Sequence, residues 1–151
     1  MIEIVIVVIL VGIMSALALP RFVSPSASLA ARRLAADIQY AKELAIRLQT
    51  KSGVFIMDSS TYRVFQDDDV STAAFDPVKG GNFEVSISGL FSDATLDSNF
   101  GNTLKFDALG TPLDGSDAKL TSPPANEITI TSGGETWTIT VEPNTGKVTL
   151  P

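Results

Sequence analysis

The chain of 151 residues contains no cysteine and no histidine. Without cysteine there is no disulfide framework and no thiol nucleophile. Without histidine the commonest general base and metal ligand is missing, so neither a Cys-His nor a Ser-His pair exists. Carboxylate pairs occur only in Asp/Gly loops, and no motif supports a Ser-Lys arrangement. The expectation is a protein that is not an enzyme. Basic charge is also scarce, with 11 Lys and Arg against 17 Asp and Glu and a formal net charge of −6. That balance argues against a broad nucleic-acid-binding surface, which needs a basic patch. The local basic spots are Arg32-Arg33 and Lys42.

What the sequence does have is a long apolar run, Ile2 to Leu19, closed by Pro20. From Ile4 onward it holds no charge and one hydroxyl, Ser15. Such a segment lies in a bilayer or is wrapped by protein, and its length is near the lower limit for a membrane span. A signal peptide would explain Ala16-Leu17-Ala18 as a cleavage site, but the start carries Glu3 and no Lys or Arg. A plain membrane anchor leaves Glu3 unexplained. A core helix does not suit an extreme N-terminus.

The run from Glu3 through Ile4, Val7, Val8 and Gly12 to Ala18-Leu19-Pro20-Arg21-Phe22 resembles the N-terminal helix of type IV pilins and pseudopilins. In that family the mature chain begins with an N-methylated Phe, followed by a short segment ending in Ile-Glu, a β-branched run and Ala-Leu-Pro. Here the glutamate falls two residues early, so the expected mature chain carries two residues before Met1. The resemblance implies a structural subunit of a type IV pilus or pseudopilus. It implies an inner-membrane protein with a periplasmic head before assembly, and a surface pilus or periplasm-spanning pseudopilus afterwards. The partners it implies are copies of the same chain in a helical homopolymer, the membrane, the inner-membrane assembly platform and a prepilin peptidase. The assembly residues it implies are Glu3, Ile4, Val7, Val8, Gly12, Pro20 and Phe22, with Glu3 meeting the α-amino group of a neighbouring subunit. The alternatives are a membrane-anchored periplasmic binding module and a minor, tip-located pseudopilin of a type II secretion system.

Gly12, Ser15 and Pro20 each weaken a helix. Lipid forces this segment helical, because unpaired backbone groups there are costly. Inside a filament the expectation is two helical pieces, about 2–11 and 22–50, with non-helical backbone between Gly12 and Pro20 that lengthens the arm by roughly 12 Å.

Pro20 and Pro25 interrupt the chain, and Ser26 or Ser28 can cap a new helix. Ala27, Ala31, Leu34, Ile38, Ala41, Ala45 and Leu48 then recur at spacings of four and three, an amphipathic stripe. Arg32, Arg33, Asp37, Lys42, Glu43 and Arg47 fall mostly off it. Lys51 and Gly53 supply stop signals.

From Val54 the period changes to two. Val54–Met57 and Tyr62–Gln66 read as a hairpin. Phe83, Val85 and Ile87 read as a half-buried strand, and Leu104–Phe106 as a short one. Asp67–Asn82, Ser92–Asn102 and Leu113–Asn126 read as loops. Glu127–Thr131 and Glu135–Val141 flank Gly133-Gly134 as a second hairpin. Pro143–Gly146 is a turn before Lys147–Leu150. This makes about seven strands after one long helix. The fold class is α+β: a long N-terminal helix, half hydrophobic and half amphipathic, packed on an antiparallel β head. The divisions are 1–25 (assembly or membrane arm), 26–53 (amphipathic helix) and 54–151 (β head). Trp137 is expected to pack on Leu34, Ile38 and Ala41, as the one large apolar partner for the stripe.

The head is also similar, more weakly, to the GspH/FimT-like pseudopilins. The carriers are Glu43–Ile46 leading into Val54, Tyr62-Arg63-Val64, Phe106–Gly110 and Gly146-Lys147-Val148. No cofactor is expected. Calcium is the one metal with candidate ligands, at Asp67-Asp68-Asp69 with Asp76, at Asp114–Asp117, or at Asp93, Asp97 and Asn99, none with EF-hand spacing.

Overall fold

A computed structural model describes residues 4–9, 26–91, 93–121 and 126–151. Residues 4–9 form a helical segment, α1. The amphipathic stretch forms α2, Ser26–Leu48, and its buried face is mostly alanine with Leu34, Ile38 and Leu44. Small side chains on that face let the helix axis approach the sheets closely. The helix stops at Leu48, earlier than Lys51 and Gly53 suggest. Gln49 takes a left-handed φ of 55°, and its amide side chain donates to the Ile46 carbonyl at 2.7 Å. A non-glycine residue thus performs the reversal that glycine usually supplies at this position.

Nine strands are assigned among the described residues, against about seven expected from the pattern. They are β1 Ser52–Asp58, β2 Thr61–Phe65, β3 Glu84–Ser86, β4 Thr95–Ser98, β5 Thr103–Phe106, β6 Pro112–Leu113, β7 Glu127–Ser132, β8 Glu135–Val141 and β9 Val148–Thr149. They make two antiparallel sheets, ordered β3-β2-β1-β5-β6 and β4-β7-β8-β9. The expected hairpins are both present. In β7–β8, Ser132 pairs with Glu135, and Gly133 and Gly134 take φ of 59° and 81°. Two consecutive positive φ values match the right-handed twist of the flanking strands.

Two expectations are corrected. The strand read through Phe83–Ile87 ends at Ser86, and Ile87–Leu90 turn into a short helix, α3. Ser86 caps it by accepting from the Gly89 amide at 3.3 Å. The stretch read as a loop at Ser92–Asn102 contains β4, whose single buried side chain is Leu96. Its other residues are Thr, Asp and Ser, so turn chemistry masks the alternation. The β1–β2 turn ties the sheets together. The Ser59 carbonyl accepts from the Leu96 amide and the Ser60 carbonyl from the Ile87 amide, each at 2.7 Å.

Helix α2 packs across both sheets. The sealed interior includes Tyr62, Phe65, Phe106, Leu34, Ile38, Leu104, Ile128, Ile130 and Ile139. Trp137 lies partly buried against this core, opposite Ile130. The stripe therefore has large apolar partners in β1, β2 and β5 that the expectation for Trp137 leaves out. Ser26 and Ser132 join the start of the helix to the end of β7 through buried hydroxyls 2.6 Å apart.

Candidate assembly site

Helix α1 consists of Ile4, Val5, Ile6, Val7, Val8 and Ile9, and all six are between 53% and 67% exposed. Six consecutive aliphatic residues cover every side of a helix, and a helix apolar all round belongs in lipid or protein. Ile4, Val7 and Val8, three of the expected assembly residues, are placed here. Glu3, Gly12, Pro20 and Phe22, and the expected break between the two helical pieces, lie outside the described residues. Among the described residues no helix is long and apolar enough to cross a membrane.

The helix that follows carries charge inside the core. Asp37, read from the pattern as off the buried stripe, is 6% exposed. Its Oδ2 accepts from the Tyr62 hydroxyl at 2.6 Å and from Arg33 Nε at 2.9 Å. Burial raises the Asp37 pKa above the ordinary carboxylate range, against the opposing pull of Tyr62 and Arg33. Burial raises Tyr62 as well, and the neighbouring Asp37 charge adds to it. Tyr62 stays protonated, and its hydroxyl fixes α2 against β2. In the sequence Tyr62 shows only as part of an alternating strand, and its carboxylate partner is 25 residues away.

A second network closes the other end of α2. Lys105 on β5 is 6% exposed and reaches Asp117 at 2.7 Å and Asp68 at 3.1 Å. Lys51 reaches the same two carboxylates at 2.8 and 3.5 Å. Burial works against the Lys105 ammonium, and hydrogen bonds to Asp117 and Asp68 outweigh it, so its pKa is raised. The same two lysines hold the Asp117 carboxyl below its usual range.

The Asp-rich loops spend their carboxylates on their own backbone. Asp58, Asp69 and Asp114 each accept from the amide and hydroxyl of a serine two residues on. These bonds lower all three pKa values. Asp76 is fully buried, and its Oδ1 accepts from the amides of Val78 and Lys79 at 2.8 and 3.1 Å. Burial alone would raise its pKa, and those amides with the charges of Lys79 and Arg33 bring it below the usual value. Among the described residues no three acidic side chains gather as a metal site would require.

Along the opposite flank of α2 runs a groove of about 330 Å³ lined by Lys42, Glu43, Ile46, Gly146, Lys147 and Val148. Lys42 Nζ donates to the Thr145 carbonyl at 2.6 Å and so holds the β8–β9 turn to the helix.

Comparison with known proteins agrees with this architecture. Solved structures with the same fold include the type IV minor pilin FimU of Pseudomonas aeruginosa, at 14% identity and a TM-score of 0.55, covering 83% of this chain and 87% of that one. Another is the minor pseudopilin EpsH from the type 2 secretion system of Vibrio cholerae, at 16% identity and a TM-score of 0.52, covering 83% and 96%. No curated protein matches the sequence closely. Residues 30–146 match the family described as type II transport protein GspH. That match takes in most of α2 and nearly all of the two-sheet head, and the chain belongs to the GspH family of type IV pilin-like and pseudopilin proteins.

Proposed function

We propose that this chain is a filament subunit that polymerises through its hydrophobic N-terminal segment, Ile2 to Leu19. Its head sits in the periplasm, and the arm is held in the inner membrane, before assembly. The observation that carries the reading is α1, whose six aliphatic side chains are more than half exposed. Burying such surface contributes about 25 cal/mol per Å² against water. A subunit that leaves lipid gains mainly from packing against other arms. Glu3 then sets register by meeting the α-amino group of a neighbour. An ionisable group in an apolar segment is costly, about 2.5–3.5 kcal/mol at mid-bilayer on insertion scales, and pairing offsets that cost.

The likeness to one minor pilin and one minor pseudopilin supports a second placement, as a low-copy subunit at a filament tip. Negative-stain microscopy of sheared surface material with peptide mass spectrometry separates the two by abundance. Glu3→Ala is expected to insert and fold its head but to polymerise poorly. Normal filament yield from that single change would sink the register role.

A further inference from the structure

The Phe75–Asn82 loop is closed on itself. Phe75 bridges to Asn82, Asp76 N donates to Gly81 O at 2.9 Å, and Gly80 N donates to Asp76 O at 3.0 Å. Its hydrogen bond to the helix is long, with the Tyr40 hydroxyl 3.5 Å from the Phe75 carbonyl. The carboxylate at the foot of the loop holds it more firmly. Asp76 is fully buried, and its Oδ1 ties down the Val78 and Lys79 amides. Among the described residues its Oδ2 meets no hydrogen-bond donor. A buried carboxylate oxygen without a donor is costly.

A second buried carboxylate, Asp37 of α2, lies within electrostatic reach and repels it. The groups facing this pair are Arg33 and Tyr40 from α2, Tyr62 from β2 and Lys79 from the loop. Lys79 is exposed at the loop tip, where water and salt screen its charge. Arg33 already donates to Asp37, so one half-buried guanidinium serves two buried carboxylates. The surplus negative charge is most simply removed by a proton. Asp37 is the carboxylate that takes it, because Asp76 has the amides of Val78 and Lys79 to favour its ionised form.

We infer that the Phe75–Asn82 loop is a latch worked by one proton: while Asp37 is protonated the loop lies shut on α2, and when Asp37 ionises its repulsion of Asp76 lets the loop lift. Lifting carries the Asp76 charge into water and takes the Phe75 carbonyl off Tyr40, so this flank of α2 changes shape without unfolding of the head. Asp76 titrates below 3.8 and Asp37 above it. The latch is therefore tightest near 3.8 and loosens as pH rises through the folded value of Asp37.

Hydrogen exchange of the full-length chain in detergent tests this, from pH 3.8 to neutrality, after correction for the pH dependence of chemical exchange. The Val78 and Lys79 amides report the loop, and the amides of β7 and β8 report global unfolding. Protection of the loop amides is expected to fall by up to about tenfold per pH unit across the titration, with β7 and β8 unchanged. Asp37→Asn and Asp76→Asn each keep an accepting oxygen and remove one charge. In either variant, with β7 and β8 still protected, loop protection should no longer vary with pH. Constant loop protection in the unmodified chain overturns the inference. So does a fall that persists in either variant, or one in which the β7 and β8 amides fall in parallel.

Discussion

Tyr62 of β2 donates its hydroxyl hydrogen to Asp37 of α2 across 2.6 Å, inside the core. A charged residue on a helix face is thereby converted into a fixed point between helix and sheet. Replacing Tyr62 with Phe keeps the ring and removes the donor, leaving Asp37 with Arg33 alone. The expected loss is about 1–3 kcal/mol, the cost of an unsatisfied buried polar group, read from urea denaturation of the full chain in detergent.

Asp37 also gives the protein a pH signature. Its folded pKa lies above the ordinary value of 3.8. The unfolded chain therefore releases this proton first as pH rises. The contribution of Asp37 is fully present below 3.8 and declines as pH rises through the folded pKa. In Asp37→Asn that slope vanishes. The stability of the unmodified chain relative to the variant should rise as pH is lowered from neutrality toward 3.8. A constant difference across that range would contradict the assignment. Asp58, Asp69, Asp114 and Asp117 have lowered values, so their contributions run the other way, present above 3.8 and lost below it.

The Lys105 network predicts an asymmetry. Asp68→Ala with Asp117→Ala strands a buried ammonium and should cost about 1–3 kcal/mol. That is less than the 3–5 kcal/mol of a fully buried pair, because both carboxylates are partly exposed. Lys105→Met removes the buried charge and leaves the aspartates to Lys51 and solvent, and should be near neutral. Thermal melting of the two variants measures the order.

Gly53 is the most closely approached of the described glycines. A Cβ there would collide with the Leu104 carbonyl oxygen on the adjoining strand. Gly53 pairs with Lys105 in the middle of the main sheet, so neither strand has room to move aside. Gly53→Ala should cost about 1–3 kcal/mol or more, as overpacking does. Gly81→Ala, where no atom lies within 4 Å of the added carbon, pays only for its positive φ and serves as the comparison in the same melting experiment.

Deleting residues 1–24 should leave a soluble, folded monomer, because among the described residues the buried core is drawn from α2 and both sheets. Gel filtration and circular dichroism check this. Aggregation of the fragment would contradict a two-part design.

The amphipathic helix, both hairpins and the α+β class were legible because local period and turn chemistry determine them. Ala27 to Leu48 could bury one face only as a helix, and Gly133-Gly134 could take positive φ where other residues strain. The family was legible only as a resemblance, carried by the motif from Glu3 to Pro20, since apolar composition alone suits a plain membrane anchor as well. β4 was not, because one leucine among Thr, Asp and Ser becomes a strand only when a neighbouring sheet edge pairs with it. Nor was the end of α2, where a side-chain bond from Gln49 replaced glycine.

The sequence by itself determined which stretches would be buried and which would turn, because side-chain chemistry and spacing act over a few residues. Only the tertiary structure decided that Asp37 and Lys105 are interior charges, and that the nine strands among the described residues divide into two sheets bridged by the bond from the Leu96 amide to the Ser59 carbonyl. The reason is distance along the chain. Tyr62 is 25 residues from Asp37, and Asp68 is 37 from Lys105, and no local pattern records a partner that folding alone brings near.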